Sequence, residues 1–334
     1  MLKRFSHHSS PRVLSRKVVA SALALTTALA LAACSSSAEP DSPEVEQAVG
    51  LAVDTPRMVV VDPGTGDLQR LQYKDIAPDA TQEQTINIAE GFAQSVVNAD
   101  SVDQQAPAGG DVTTFHLPVK ATTEEAEFSD QEMVSATRDI SLLFGKPTYT
   151  DLSQVEDVNS TEGFTLGIRA TDSGQHTTLS FAAPVDSTET GRMLMEQYLL
   201  TFTSLPIVFP TDDIGVGAKW TVDSRVTGES TLLQTVTYTI TGIDGDKVNL
   251  DVEVSQRPSM GALEITDEES DETTGQLTVL NSNTTSVGTL EVDLTQPLPT
   301  SGQVSWTTRV IYGGSNEQVR VVQDSTSSVS FGDQ

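Results

Sequence analysis

Strict alternation of apolar and polar residues dominates the last third of the chain. Val236, Tyr238 and Ile240 alternate with Thr235, Thr237, Thr239 and Thr241, Asp244-Gly245-Asp246 follows, and then Val248, Leu250, Val252 and Val254 alternate with Asn249, Asp251 and Glu253. A period of two sends successive side chains to opposite faces of a strand, so this stretch predicts a hairpin with one wet and one buried face. The same alternation marks strands at Ile86 and Ile88, at Phe115 and Leu117, and at Phe164, Leu166 and Ile168. Asp172-Ser173-Gly174 turns the last of these to a partner with Leu179 and Phe181. Further strands are predicted around Leu290, Val292 and Leu294, around Trp306, Val310 and Tyr312, and around Val319 and Val321-Val322. Near the start of the folded part, Val59-Val60-Val61 leads into the turn-forming run 62–67, and Leu68, Leu71 and Tyr73 predict a return strand. The acidic run 264–273 reads as a solvated loop.

Two stretches carry a helical period instead. Ser129 to Glu132 matches a capping box, and Met133, Ala136, Ile140 and Leu143 recur at helical spacing, predicting a short helix over about 130–144. Asp186 to Glu189 is a second capping box. It opens a helix over about 187–204 whose apolar stripe runs through Leu194, Met195, Tyr198, Leu199 and Phe202, with Pro206 and Pro210 as its stop. The fold class is therefore α+β, mostly antiparallel β, built either as one large curved sheet or as two curved sheet halves. In the second form the halves are 57–184 and 207–331, joined by the helix at 187–204, and faint matches such as Gln84-Thr85-Ile86 with Gln234-Thr235-Val236 would make them a repeat.

The first 33 residues are of another kind. Lys3, Arg4, Arg12, Arg16 and Lys17 form a positive head without acids, and Val18 to Ala33 is apolar but short of the roughly 20 residues of a membrane-spanning helix. These are the marks of a secretory signal. Leu31-Ala32-Ala33-Cys34 resembles the lipobox of bacterial lipoproteins, and the resemblance implies removal of 1–33 and a diacylglycerol on the Cys34 sulfur. Cys34 is the only cysteine, so it has no disulfide partner within the chain, and two acyl chains give stable anchoring where one gives only marginal binding. The expected location is the outer side of the cytoplasmic membrane, with the membrane reached through acyl chains on Cys34. Residues 34–56, rich in Ser, Pro, Asp and Glu, read as a disordered tether to a β-rich domain over 57–331.

Charge narrows the partners. The chain carries 47 acidic and 19 basic residues, and loss of the signal takes its formal charge from -28 to about -33. Such a surface repels nucleic acid and anionic headgroups. No cysteine remains after Cys34 to bind a metal or act as a nucleophile, and His116 and His176 stand in no metal-ligand spacing. Gly215-Val216-Gly217 lacks the third glycine of a dinucleotide fingerprint, with Trp220 in its place, and reads as a turn pinned by a core tryptophan. Residues 157–163 resemble a calcium loop, but the glycine falls one place late and Ile168 stands where a bidentate Glu belongs. No cofactor, metal or catalytic residue is assigned.

Phe209 to Trp220, with Gly215-Val216-Gly217-Ala218-Lys219-Trp220 at its centre, resembles a motif of a family of uncharacterised, mostly actinobacterial lipoproteins, as does Leu294-Thr295-Gln296-Pro297-Leu298-Pro299. That likeness implies a β-rich envelope lipoprotein and no mechanism. A looser, architectural likeness exists to envelope lipid carriers, whose curved sheet wraps a lipid-sized cavity. The expectation is a membrane-anchored, non-enzymatic lipoprotein with a binding or structural role at the cell surface, its partner a lipid or an envelope protein. The alternative is a carrier of a lipid or glycolipid in an apolar cavity beneath the helix at 187–204.

Overall fold

The computed structural model describes residues 43–129, 134–226, 231–266 and 273–332. In chain order the strands of the first part are β1 (Val49–Ala52), β2 (Arg57–Asp62), β3 (Thr65–Gln69), β4 (Gln82–Asn98), β5 (Thr113–Glu125), β6 (Arg138–Phe144) and β7 (Thr148–Tyr149). A five-residue helix α1 (Val155–Asn159), strands β8 (Thr165–Ala170) and β9 (His176–Ala182) and the main helix α2 (Glu189–Thr203) follow. The rest is strand: β10 (Ile214–Val216), β11 (Lys219–Val226), β12 (Leu232–Asp244), β13 (Lys247–Pro258), β14 (Ala262–Thr266), β15 (Thr273–Asp293), β16 (Ser301–Gly313) and β17 (Val319–Phe331).

Of the two expected forms, the chain adopts one large, mostly antiparallel sheet, in the order β1-β9-β8-β6-β5-β4-β17-β16-β15-β13-β12-β11-β2. The two expected halves meet at β4 and β17, paired from Ile86↔Phe331 to Asn98↔Val319. The outermost strands are β1 and β2, and only Val53–Pro56 separates them in sequence. Five Cα steps reach at most about 19 Å, whereas thirteen flat strands would span roughly 58 Å at their usual spacing. The sheet therefore bends until its two edges approach, without pairing to each other.

The inner face of this bend holds the core. Ile86 and Ile88 of β4, Val329 of β17, Val304 of β16 and Leu250 of β13 point there together. Helix α2 lies against them with Met195, Tyr198, Leu199 and Phe202 buried. Its N-cap is Thr188, whose Oγ1 accepts from the Gly191 amide at 3.0 Å, two residues later than the sequence placed it. Beside the helix, Trp220 stacks on Tyr238 with ring centroids 5.4 Å apart and donates from Nε1 to the Val208 carbonyl at 2.8 Å. The turn before it needs its glycines. Gly217 has φ +85°, and a Cβ on Gly215 would lie 2.5 Å from the Thr65 carbonyl oxygen. The other family-like stretch is also structural: Gln82 receives the Leu298 amide at 2.9 Å and donates to its carbonyl at 3.0 Å.

The predicted hairpin at 235–254 is present, longer at both ends, with Tyr238↔Val252 in register and Gly245 at φ +62° in the turn. Four expectations change. The helix over 130–144 is replaced over 138–144 by strand β6, held between β5 and β8. Residues 130–133 lie outside the described residues. Ile140, Leu142 and Phe144 are buried on alternate positions, so the segment carries a two-residue period as well as the helical one, and neighbouring strands decide between periods that a short run leaves ambiguous. Of the return strand expected through Leu68, Leu71 and Tyr73, only Leu68 lies in a strand, β3, which starts within the 62–67 run and pairs with β10, while β2 pairs with β11. Of the expected acidic loop, residues 264–266 belong to β14 and Thr273 begins β15, with Thr266 paired to Thr273; 267–272 lie outside the described residues.

The tether also ends earlier than 56. Val45 bridges Pro184, Val49–Ala52 pair with β9, and Arg192 forms an ion pair with Glu46. The side chains of β1 are all exposed. Its order comes from backbone pairing to an open sheet edge, which a polar composition does not reveal.

Candidate functional site

The residues singled out for lipid attachment, Leu31, Ala32, Ala33 and Cys34, lie outside the described residues. Within them, a concavity lies on the outer face of the sheet, away from α2. Ile86 and Ile88 face the core, so Thr85, Asn87 and Ala89 face outward. The pairing of β4 with β5 and β17 sets His116, Thr114, Ser330 and Ser328 beside them. Ser305 and Gln303 of β16 extend the same floor.

One wall is the segment 99–112 between β4 and β5, which crosses the outer face instead of turning directly. Its Ala106 amide donates to Asn283 Oδ1 at 2.9 Å, the Ala106 carbonyl accepts from Thr285 Oγ1 at 2.7 Å, and Arg309 Nη1 reaches the Asp103 carbonyl at 3.1 Å. The strap thus spans β17 and β16 to reach β15. It lies so close to β4 that a Cβ on Gly91 would come 2.0 Å from the Asp111 carbonyl oxygen. On the return, Gly109, Gly110 and Val112 bound a cleft of about 520 Å³. That volume falls in the range of small-ligand sites.

The chemistry of the cleft is uniform. Its floor offers hydroxyls, two side-chain amides and one imidazole, and none of the described residues lining it is Asp, Glu, Lys or Arg. The groups are already ordered. His116 Nδ1 lies 2.6 Å from Asn87 Oδ1, Asn87 Nδ2 donates to Ser330 Oγ at 3.2 Å, and Gln303 Nε2 donates to Ser328 Oγ at 2.8 Å. Asn87 Oδ1 is placed to accept from Nδ1–H of His116 while Asn87 Nδ2 points to Ser330. Hydroxyls that accept one such bond retain a proton to donate. The cleft can therefore both give and receive hydrogen bonds without presenting a fixed charge.

Two polar clusters lie on the opposite side of the sheet. In one, Arg138 binds Asp75 through Nε and Nη2 at 2.7 and 2.6 Å, Thr123 Oγ1 donates to Asp75 Oδ2 at 2.7 Å, and the guanidinium sits 4.1 Å from the Tyr73 ring centroid. Both charges are out of contact with water. His176 lies beside this pair, and burial together with the Arg138 charge holds its pKa down at about 4, so it is neutral at physiological pH. Burial likewise pushes the Tyr73 hydroxyl up to about 12. In the other cluster, the hydroxyls of Tyr198 and Tyr149 meet 3.1 Å apart and share Thr113 Oγ1. Glu90 there accepts from Gln197 Nε2 at 2.7 Å and from Thr201 Oγ1, and burial raises its pKa above the ordinary carboxylate value. Every member of these clusters is tied to another, so they read as fastenings of the fold. Among the described residues, no group of three His, Cys, Asp or Glu side chains is arranged to hold a metal ion.

A smaller hollow of about 350 Å³ opens beside Pro43, where Pro118, Val119 and Phe144 face it. Pro43 already packs against Gly163 there, with no room for a Cβ on the glycine.

Comparison with known protein families, with curated proteins and with solved structures finds no match to this chain. The sequence reading missed the cleft because it followed only the apolar half of each alternation. Thr85-x-Asn87, Thr114-x-His116 and Thr326-x-Ser328-x-Ser330 were legible as polar positions on the other face. What brings them together is the β4–β17 pairing of residues more than two hundred positions apart, and no local pattern encodes that.

Proposed function

We propose that this protein is a membrane-anchored envelope lipoprotein with a non-enzymatic binding role at the cell surface, and that the outer-face cleft is its binding site. The observation that carries the binding role is the cleft itself: a preformed, charge-free hollow on a chain with 47 acidic residues. The lipobox-like Leu31-Ala32-Ala33-Cys34 and the short apolar run before it support the anchor, with acyl chains on Cys34 holding the domain to the outer side of the cytoplasmic membrane. The likeness of 209–220 and 294–299 to the actinobacterial lipoproteins agrees with the same location.

The alternative role, carriage of a lipid or glycolipid under α2, is the weaker reading. The helix face that would line such a cavity is filled, since Met195 and Leu199 are completely buried among core side chains, and the larger concavity is polar and on the other side of the sheet.

The anchor is tested by Cys34→Ala in the full chain, expressed in a bacterium that acylates lipoproteins. Wild type should partition into detergent and incorporate labelled fatty acid. The variant should do neither, and should accumulate as uncleaved precursor or appear in the medium. A variant that still carries label would sink this part of the proposal.

A further inference from the structure

We infer that the outer-face cleft binds a neutral oligosaccharide. The inference rests on the binding role proposed above and names its ligand class.

Ligand polarity follows from the floor. The strands supply hydroxyls and amides at regular spacing, and groups that face the same way on neighbouring strands lie about 5 Å apart. An array of this kind matches a ligand with many hydroxyls, each able to donate and accept. An acyl chain would seal these polar groups from water without giving them partners, which disfavours it. A charged ligand would find no opposite charge in the cleft, and the surrounding acidic surface would repel an anion.

Pre-organisation is the second support. Asn87, His116 and Ser330 hold one another across three strands, so their free donors and acceptors are fixed before a ligand arrives. Ser330 and Thr326 are themselves more than nine-tenths buried. Binding then loses little side-chain freedom. The small side chains of Ala89, Gly109 and Gly110 keep the hollow open, and the strap gives it a wall that the sheet alone would lack. None of the described residues lining the cleft is Phe, Tyr or Trp, on which a sugar ring commonly stacks, so recognition would depend on hydroxyl geometry and discriminate between epimers.

The test uses the full chain in detergent micelles and a panel of neutral di- to tetrasaccharides of glucose, galactose, mannose and arabinose, with binding read by saturation-transfer NMR and native mass spectrometry. A uronic-acid oligosaccharide and a phospholipid serve as charged and acyl probes. At least one neutral sugar should bind. Ala89→Phe, which fills the cleft, should abolish that binding, and Asn87→Ala should weaken it at least tenfold, with thermal melting confirming that each variant is folded. If Ala89→Phe does not fold, Ser328→Asp replaces it and should weaken binding as much by placing a charge in the floor. If the uronic acid or the lipid binds in a way that Ala89→Phe abolishes while no neutral sugar does, the ligand class is wrong and the binding role stands. If no probe responds to the cleft variants, both fail.

Discussion

Gln256 donates from Nε2 to Oε1 of Gln234 at 2.7 Å, and both side chains are buried. The pair is the middle of a longer chain. Gln234 Nε2 reaches the Ser204 carbonyl at the end of α2 at 2.7 Å, and Thr308 Oγ1 donates to Gln256 Oε1 at 3.0 Å. One run of hydrogen bonds thus ties the helix to β12, β13 and β16. Buried amides in such a run hold one register because any other leaves them unpaired.

Gln256→Leu should therefore cost about 1–3 kcal/mol, because it leaves Gln234 Oε1 without its donor and leaves the Thr308 hydroxyl only its contact with Thr284. Gln234→Leu combined with Gln256→Leu should cost less than the sum of the single changes, since the stranded groups are removed together. Urea unfolding midpoints of the three variants measure this, and simple additivity would show that the pair is not coupled.

The Asp75–Arg138 pair makes a sharper case. Removing one partner from a buried pair strands a charge, so Arg138→Met or Asp75→Leu alone should lose about 3–5 kcal/mol. The double variant, with no charge left to strand, should regain most of the loss. Melting temperatures of single and double variants decide it, and a double variant as unstable as either single would mean that the ion pair itself supplies the stability.

Glu90 gives a pH dependence. Burial raises its folded pKa above the unfolded value, so the folded state takes up the proton more readily. Its contribution favours folding below the unfolded pKa, near about 4, and is lost as pH rises through the folded pKa. Glu90→Gln should accordingly gain stability relative to wild type between pH 4 and pH 7. Denaturation at both pH values measures the difference, and a relative gain toward acid would contradict the sign.

Leu199 tests how the helix face is packed. Leu199→Trp places a larger ring where the side chain is already fully buried, and overpacking of this kind typically costs 1–3 kcal/mol. A lower melting temperature is expected, with no co-purified lipid in either form. Unchanged melting together with loss of a bound lipid would instead favour the carrier.

Much of the fold was legible where a run of alternation was long. The strands of the 235–254 hairpin follow from period two, and Trp220 follows from the glycines that aim it. Residues 138–144 were not legible, because Ile140 and Leu143 fit a helix while Ile140, Leu142 and Phe144 fit a strand, and β5 and β8 settle the choice from outside the segment. The edge strand β1 was hidden for a different reason: Val49 and Leu51 stay exposed, so no burial pattern betrays them. Of the candidate site, the residue types were in plain view and their company was not. Asn87 meets His116 and Ser330 only through two strand pairings, one of them between opposite ends of the domain.

That pairing also sets an order of events. β4 spans Gln82–Asn98 and its partner β17 spans Val319–Phe331, so β4 is made long before the strand it pairs with. Until the last strand emerges, β4 and β16 each present an unpaired edge, and the contacts that join them are among the most non-local a chain of this length can make. Such contacts slow folding, because the loop must close before they are gained. A chain of this topology leaves the β4 edge waiting through more than two hundred residues before its own partner strand has been synthesised.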